Sequence, residues 1–278
     1  MKLTSRLKKI FKKFTKKSKP CVAVVNLSGV IGDVSRFKDG LNIETVKPLL
    51  KQAFDQKKLK AVAININSPG GSPVQSELIF NEIRHYADDK KIPVYTFAQD
   101  LAASGGYFLL IAGDEIYAHN ASIIGSIGVI SANFGFVEAI KKLGIERRIY
   151  TQGKNKALLD PFSPENQSSI DIIKDVQKDI YDGFVDLVKT RRGKKIKLKD
   201  DELFTGAVFS GKKSQKIGLI DEVGDLRSVM MKKFGKKVEF KTISAKKSFL
   251  KSLFSSSAFI DKITAKIEEK IQFNKFGL

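Results

Sequence analysis

The chain has 278 residues, 42% of them hydrophobic, enough to bury one large α/β core with appendages or two small domains. Fifty Lys and Arg against 30 Asp and Glu leave a formal charge of +20, which implies an anionic neighbour or a strongly basic surface. The one cysteine, Cys21, excludes an internal disulfide, and no Cys/His cluster is spaced for zinc, so no metal or other cofactor is expected. No apolar run reaches the roughly 18 residues of a spanning helix, and the N-terminus lacks the apolar core of a secretory signal. The chain is therefore read as cytoplasmic.

Residues 1–20 carry nine Lys or Arg and no acid. Leu3, Leu7, Ile10, Phe11 and Phe14 fall three and four apart, one apolar helical face under a lysine coat. That pattern fits an anionic membrane surface, and places the chain peripherally on the cytoplasmic face of an inner membrane; a solvated basic tail is the alternative. No aromatic platform or nucleic-acid motif accompanies the charge, so nucleic acid is not expected as a partner. Residues 21–27 are a continuous β-branched run, a strand buried on both faces. A helix is predicted over 45–54 and a second buried strand over 59–66, running into Asn67-Ser68-Pro69-Gly70-Gly71-Ser72-Pro73. Ser72 reads as an N-cap, Pro73 as the first helical residue and Gln75 as the partner of a capping box, with Val74, Leu78, Ile79 and Ile83 on one helical face. A strand, a Gly-Gly turn and a helix start present backbone N–H groups to an anion. With no G-K-[ST] ending and no G-x-G-x-x-G, an oxyanion hole fits better than a phosphate loop.

The next strand–helix junction is Asp100-Leu101-Ala102-Ala103-Ser104-Gly105-Gly106-Tyr107, between a strand at 93–97 and a short apolar helix at 107–111. Ser104 would sit at a helix start among unpaired N–H groups, and the glycines let a substrate backbone come close. That arrangement suits a nucleophile; a helix cap with tight glycine packing is the plainer reading. Strands are predicted at 115–118 and 146–151, helices at 136–143 and 164–190, the last with Ile170, Ile173, Val176, Ile180, Phe184, Leu187 and Val188 inward. Repeating β–α units argue for an α/β domain with mainly parallel strands. From about residue 240 the chain is rich in Ser, Lys and Phe, a further surface or oligomer-contact helix or a tail. A Ser-His-Asp site needs a histidine. His85 ends the helix after the Gly-Gly loop, on a solvated face; His119 lies close in sequence to the Ser104 helix, but no motif supports it. A Ser-Lys site avoids the requirement if the lysine is desolvated.

Five stretches in order resemble the signal peptide peptidase A family of serine peptidases, including its SohB-type members: Ile66 to Gly71, Ala102 to Tyr107, Ile124-Gly125-Ser126-Ile127-Gly128-Val129, Gly153 to Lys156, and Gly218 to Gly224. The resemblance covers roughly residues 21–235, which would be the catalytic domain between the 1–20 segment and a basic, apolar helical tail at 236–278. It implies a Clp protease/crotonase-like α/β spiral of β-β-α units with terminal amphipathic helices, a Ser-Lys dyad acting on peptides such as signal-peptide remnants, and a homo-oligomer. By position it makes Ser104 the nucleophile, Lys156 the general base and Ser126 the hydroxyl that orients the lysine. Gly71 and Gly105 would form the oxyanion hole, with Gly70 the alternative to Gly71. Spacing alone does not choose between Lys154 and Lys156; the resemblance does. Unlike tandem-domain members, a chain of this length is expected to build its site alone. A crotonase-type acyl-CoA enzyme and a silent membrane-surface scaffold are the competing readings.

Overall fold

The computed structural model describes residues 19–32, 40–244 and 270–278; the expected N-terminal amphipathic helix and most of the C-terminal segment lie outside these residues. The elements in order are β1 (Cys21–Ser28), α1 (Ile43–Phe54), β2 (Leu59–Ser68), α2 (Pro73–Lys90), β3 (Val94–Ala103), α3 (Gly105–Leu110), β4 (Glu115–Ala118), β5 (Ile123–Gly125), α4 (Val137–Lys142), α5 (Gln167–Arg192), β6 (Val208–Ser210), α6 (Gly211–Ile217), β7 (Glu222–Val223), α7 (Leu226–Phe234) and β8 (Glu239–Ile243).

The fold is α/β. Its sheet has eight strands, with the path β6-β5-β3-β2-β1-β8 and β4 bridging β3 to β7. All pairings are parallel except β5 with β6. The β-branched runs of β1 and β2 are apolar on both faces because both faces are covered. Val25, Leu27, Ile64 and Ile66 meet α1, α2 and α3 on one side, while Val22, Val24, Ala61 and Ala63 meet Val229 and Met230 of α7 on the other. The sheet divides along β3. Tyr95 to Ala98 pair with β4, and Leu101 to Ala103 pair with β5. The end of β3, where Ser104 follows, therefore emerges beside β5.

Several expectations change. Residues 146–151 are exposed and form no strand, since among the described residues no strand lies there to pair with them. Ser72 Oγ does accept from the Gln75 N–H, but the Gln75 side chain turns away and accepts from the Ile43 N–H at 2.9 Å, joining α2 to α1 instead of closing a capping box. Val74 and Leu78 are not core residues; they are 62% and 41% exposed. Val176 and Ile180 on α5 are also exposed, because no layer among the described residues covers them. The sheet continues past residue 235, where β8 pairs with β1.

Candidate active site

β3 runs straight into α3, and Ser104 is the residue that turns the corner. Its φ of 52° and ψ of −123° lie outside the regions open to most L-residues, a strained strand-to-helix turn that lifts the hydroxyl out of the sheet. The corner is held from below by the Ser104 N–H, which donates to the Gly125 carbonyl at 2.8 Å. The Ser104 hydroxyl makes no capping bond, so it is free for chemistry.

The Gly-Gly loop after β2 lies against this corner. A Cβ on Gly70 would stand 2.8 Å from both the Gly105 nitrogen and the Ser104 Cβ, and one on Gly71 would stand 2.0 Å from the Ile31 carbonyl oxygen. A Cβ on Gly106 would meet the Ser68 carbonyl oxygen at 2.4 Å. The two backbone segments thus touch with no side chain between them, as the sequence implied. They also divide the N–H groups. Gly70 N–H donates to the buried Ser68 Oγ at 3.2 Å, whereas Gly71 N–H has no hydrogen bond among the described residues. Gly105 opens α3, so its N–H has no helical acceptor. Gly71 and Gly105, not Gly70, are the free donors beside Ser104.

Ser126 follows Gly125 on the neighbouring strand, also at positive φ, 53°, and its N–H donates to the Ala207 carbonyl at 2.7 Å. Gly125 at the end of β5 therefore holds Ser104, and Ser126, the next residue, is held in turn by Ala207 just before β6. Lys156 is elsewhere. It is exposed, its ammonium makes no hydrogen bond among the described residues, and it does not line the cavity at Ser104. Lys154 is exposed in the same loop. Both histidines are exposed, His85 beside the Tyr86 ring and His119 in a separate recess with Val24, Asn65 and Phe97 on the opposite face of the sheet. Neither histidine reaches the Ser104 cavity. Cys21 is a buried strand residue whose thiol burial pushes up, so it is no nucleophile. Among the described residues no group of three His, Cys, Asp or Glu could hold a metal ion.

The cavity itself was not visible in the sequence. It encloses about 600 Å³ between α2, α3 and α5, opening at Ser104 and Gly71. Val74, Phe80, Phe108, Ile180, Phe184 and Leu187 form its walls. The signal was present in the helical spacing, but that spacing was read as core; at Val74 and Ile180 it marks a wall open to solvent.

Ser104 thus stands strained at a strand–helix corner, with the Gly71 and Gly105 N–H groups unbonded among the described residues beside it and an apolar cavity in front, the kind of arrangement that acyl-transfer chemistry uses. The Clp protease family model matches residues 35–125, and that of peptidase family S49 matches residues 86–239. The chain belongs to peptidase family S49. It is 33% identical over 205 residues to the chloroplastic serine protease SPPA of Arabidopsis thaliana, covering 72% of this chain and 29% of that protein. To Protease 4 of Haemophilus influenzae it is 33% identical over 215 residues, 76% of this chain and 34% of that protein. It is also 46% identical over 231 residues to a Brucella abortus protein named Na(+)/H(+) antiporter NhaA, covering 82% of this chain and 31% of that protein. The chain spans about a third of the length of these relatives. No helix among the described residues is long and apolar enough to cross a membrane.

Proposed function

We propose that the protein is an endopeptidase that cleaves peptides, such as signal-peptide remnants or membrane-associated segments, through Ser104 with Lys156 as general base. The observation that carries this reading is the Ser104 corner with the Gly71 and Gly105 amides free beside it. In the reaction Ser104 Oγ attacks the peptide carbonyl while a neutral lysine takes the hydroxyl proton. The developing oxyanion is held by the two amides, and the lysine returns the proton to the departing amine. Water, deprotonated by the same lysine, then cleaves the acyl-enzyme. Ser126, one strand away, orients the lysine.

A lysine base must be desolvated to be neutral, and in the single chain Lys156 is exposed. The segment that carries it supports a reason. Helix α4 buries no residue, and Ile130, Phe134, Leu143 and Tyr150 are 83%, 79%, 73% and 91% exposed. Apolar surface of that extent is a contact surface. In this reading the segment packs on a second copy, burying Lys156 and bringing it to that copy's Ser104. The function is tested with a fluorophosphonate probe and a casein substrate. Labelling and turnover are expected in the full chain and absent in Ser104→Ala; equal labelling of the two would overturn the assignment of the nucleophile.

A further inference from the structure

Helix α5 carries a glycine in its interior, Gly183, at a position facing the cavity beside Ser104. An interior helical glycine costs about 1 kcal/mol relative to alanine. Most such glycines are explained by a neighbour that leaves no room for a Cβ. Here a Cβ would meet nothing within 4 Å. Crowding by the chain's own neighbours therefore does not account for it; a side chain there would take up cavity space.

The charge around the cavity is the second observation. The chain has 50 Lys and Arg against 30 Asp and Glu, yet among the described residues the cavity is lined by Glu77, Asp179 and Asp186 and by no Lys, Arg or His. All three carboxylates are exposed. Among the described residues Lys178 pairs with Asp182, Lys189 with Asp200, Arg191 with Asp114 and Arg192 with Asp221, while Asp179 and Asp186 lie in no ion pair and feel Lys178 and Lys189 only at longer range. Glu77 is likewise in no ion pair among the described residues, although Glu82 on the same helix pairs with Lys47.

We propose that this cavity selects peptide segments in which a bulky apolar side chain is flanked by Lys or Arg: the apolar side chain enters over Gly183, and the cationic neighbour meets Glu77, Asp179 and Asp186. The proposal rests on the peptidase reading above and names its substrate class. The walls supply the apolar complement, and the acidic rim on a basic molecule supplies the charge complement. The rim also repels the chain's own acidic surface and any acidic peptide.

The test measures binding to the full chain carrying Ser104→Ala, so that it reads recognition without turnover. The probes are fluorescent peptides with one Phe and one Lys stepped along either side of it, matched to versions with acetyl-lysine, and a set with Ala in place of Phe. The best-placed Lys peptide should bind about three- to tenfold tighter than its acetyl-lysine match at low salt, and the advantage should shrink as salt rises. Adding Glu77→Gln, Asp179→Asn and Asp186→Asn should bring the ratio to about one. Gly183→Leu should weaken the Phe peptide relative to the Ala peptide by about tenfold, while Gly183→Ala should raise the thermal midpoint. Equal binding of Lys and acetyl-lysine peptides, a ratio unchanged by the three rim substitutions, or a Phe preference indifferent to Gly183→Leu would each overturn the proposal. Loss of all peptide binding would do so too. The nucleophile assignment is read separately, by fluorophosphonate labelling.

Discussion

The Tyr107 hydroxyl donates a 2.9 Å hydrogen bond to the Leu219 carbonyl, tying the first turn of α3, the helix that follows Ser104, to the loop between α6 and β7. That loop is itself clamped. Arg192, at the end of α5, donates from Nε to the Gly218 carbonyl at 2.9 Å and from Nη1 to both Asp221 oxygens at 3.1 Å. Its neighbour Arg191 reaches the other end of α3, donating to the Ile111 and Gly113 carbonyls at 2.9 and 2.8 Å, where a cation also complements the helix dipole. Two adjacent arginines thus hold the two ends of a six-residue helix that is too short to be stable alone.

Tyr107→Phe should leave the Leu219 carbonyl unpaired in the core. Burial pushes the Tyr107 phenol up, so the group is a donor throughout the working pH range. We expect a loss of about 1–2 kcal/mol in denaturant unfolding. Turnover should fall on the order of tenfold, mainly in kcat, because Ser104 and the Gly105 amide ride on the helix that shifts. A variant with lower stability and unchanged kcat would confine Tyr107 to a structural role.

The glycine contacts separate two kinds of loss. Gly71→Ala puts a Cβ against the Ile31 backbone, which cannot yield, so turnover should drop on the order of 10²-fold or more with the loop displaced. Gly105→Ala instead meets the Ser76 side chain, with Oγ 2.5 Å away. Removing that atom in Gly105→Ala with Ser76→Gly should recover part of the activity, whereas Ser76→Gly should not rescue Gly71→Ala. Kinetics on the two pairs check this.

If Lys156 acts on a neighbouring copy, mixing inactive Ser104→Ala with inactive Lys156→Ala should restore turnover, since mixed assemblies contain sites with both groups intact. Lys154→Ala alone should keep most activity. A mixture as inactive as its parts would place the lysine in the chain that carries the serine.

Asp221 gives a pH signature. Burial alone would raise its carboxyl, but hydrogen bonds from Arg192 and Lys195 and the Arg192 charge outweigh that and hold it below the usual carboxylate range. A depressed acid contributes stability that is fully present above its unfolded value near ~3.9 and is lost as pH falls through the folded value. Thermal midpoints of the wild type should therefore drop as pH is lowered below about 4. Asp221→Asn should be less stable at neutral pH, with the buried Arg192 left without a counter-charge, and flatter across the acid range.

What the sequence disclosed follows from how local each feature is. The β1 and β2 runs are buried on both faces and could be read from residue type alone. The Ser104 junction was legible because a strand, a serine and two glycines lie within a few residues. Which of the Gly70 and Gly71 N–H groups is already hydrogen-bonded was not, since that turns on one bond to Ser68, two residues before Gly70. The cavity was missed because Val74 and Phe184 belong to different helices, and helical spacing does not say whether an apolar residue meets a neighbour or a space. The 146–151 segment ends in Ile149, Tyr150 and Thr151, residue types that strands favour, but a strand is defined by its partner, and none is present among the described residues. Lys156 was placed by resemblance, and its exposure in the single chain was beyond any reading of the loop in isolation.

The positive φ of Ser104 limits how this site can change over time. A β-branched residue cannot hold that angle without a large penalty, so threonine is closed to the position even though it carries the same hydroxyl. Glycine holds it freely, and strain of this kind costs on the order of 1–3 kcal/mol. A lineage that no longer needed the reaction would gain stability by the single step to glycine. In the proposed reaction that strain is the cost of keeping a hydroxyl at the corner, and loss of the reaction would remove the reason to keep serine there.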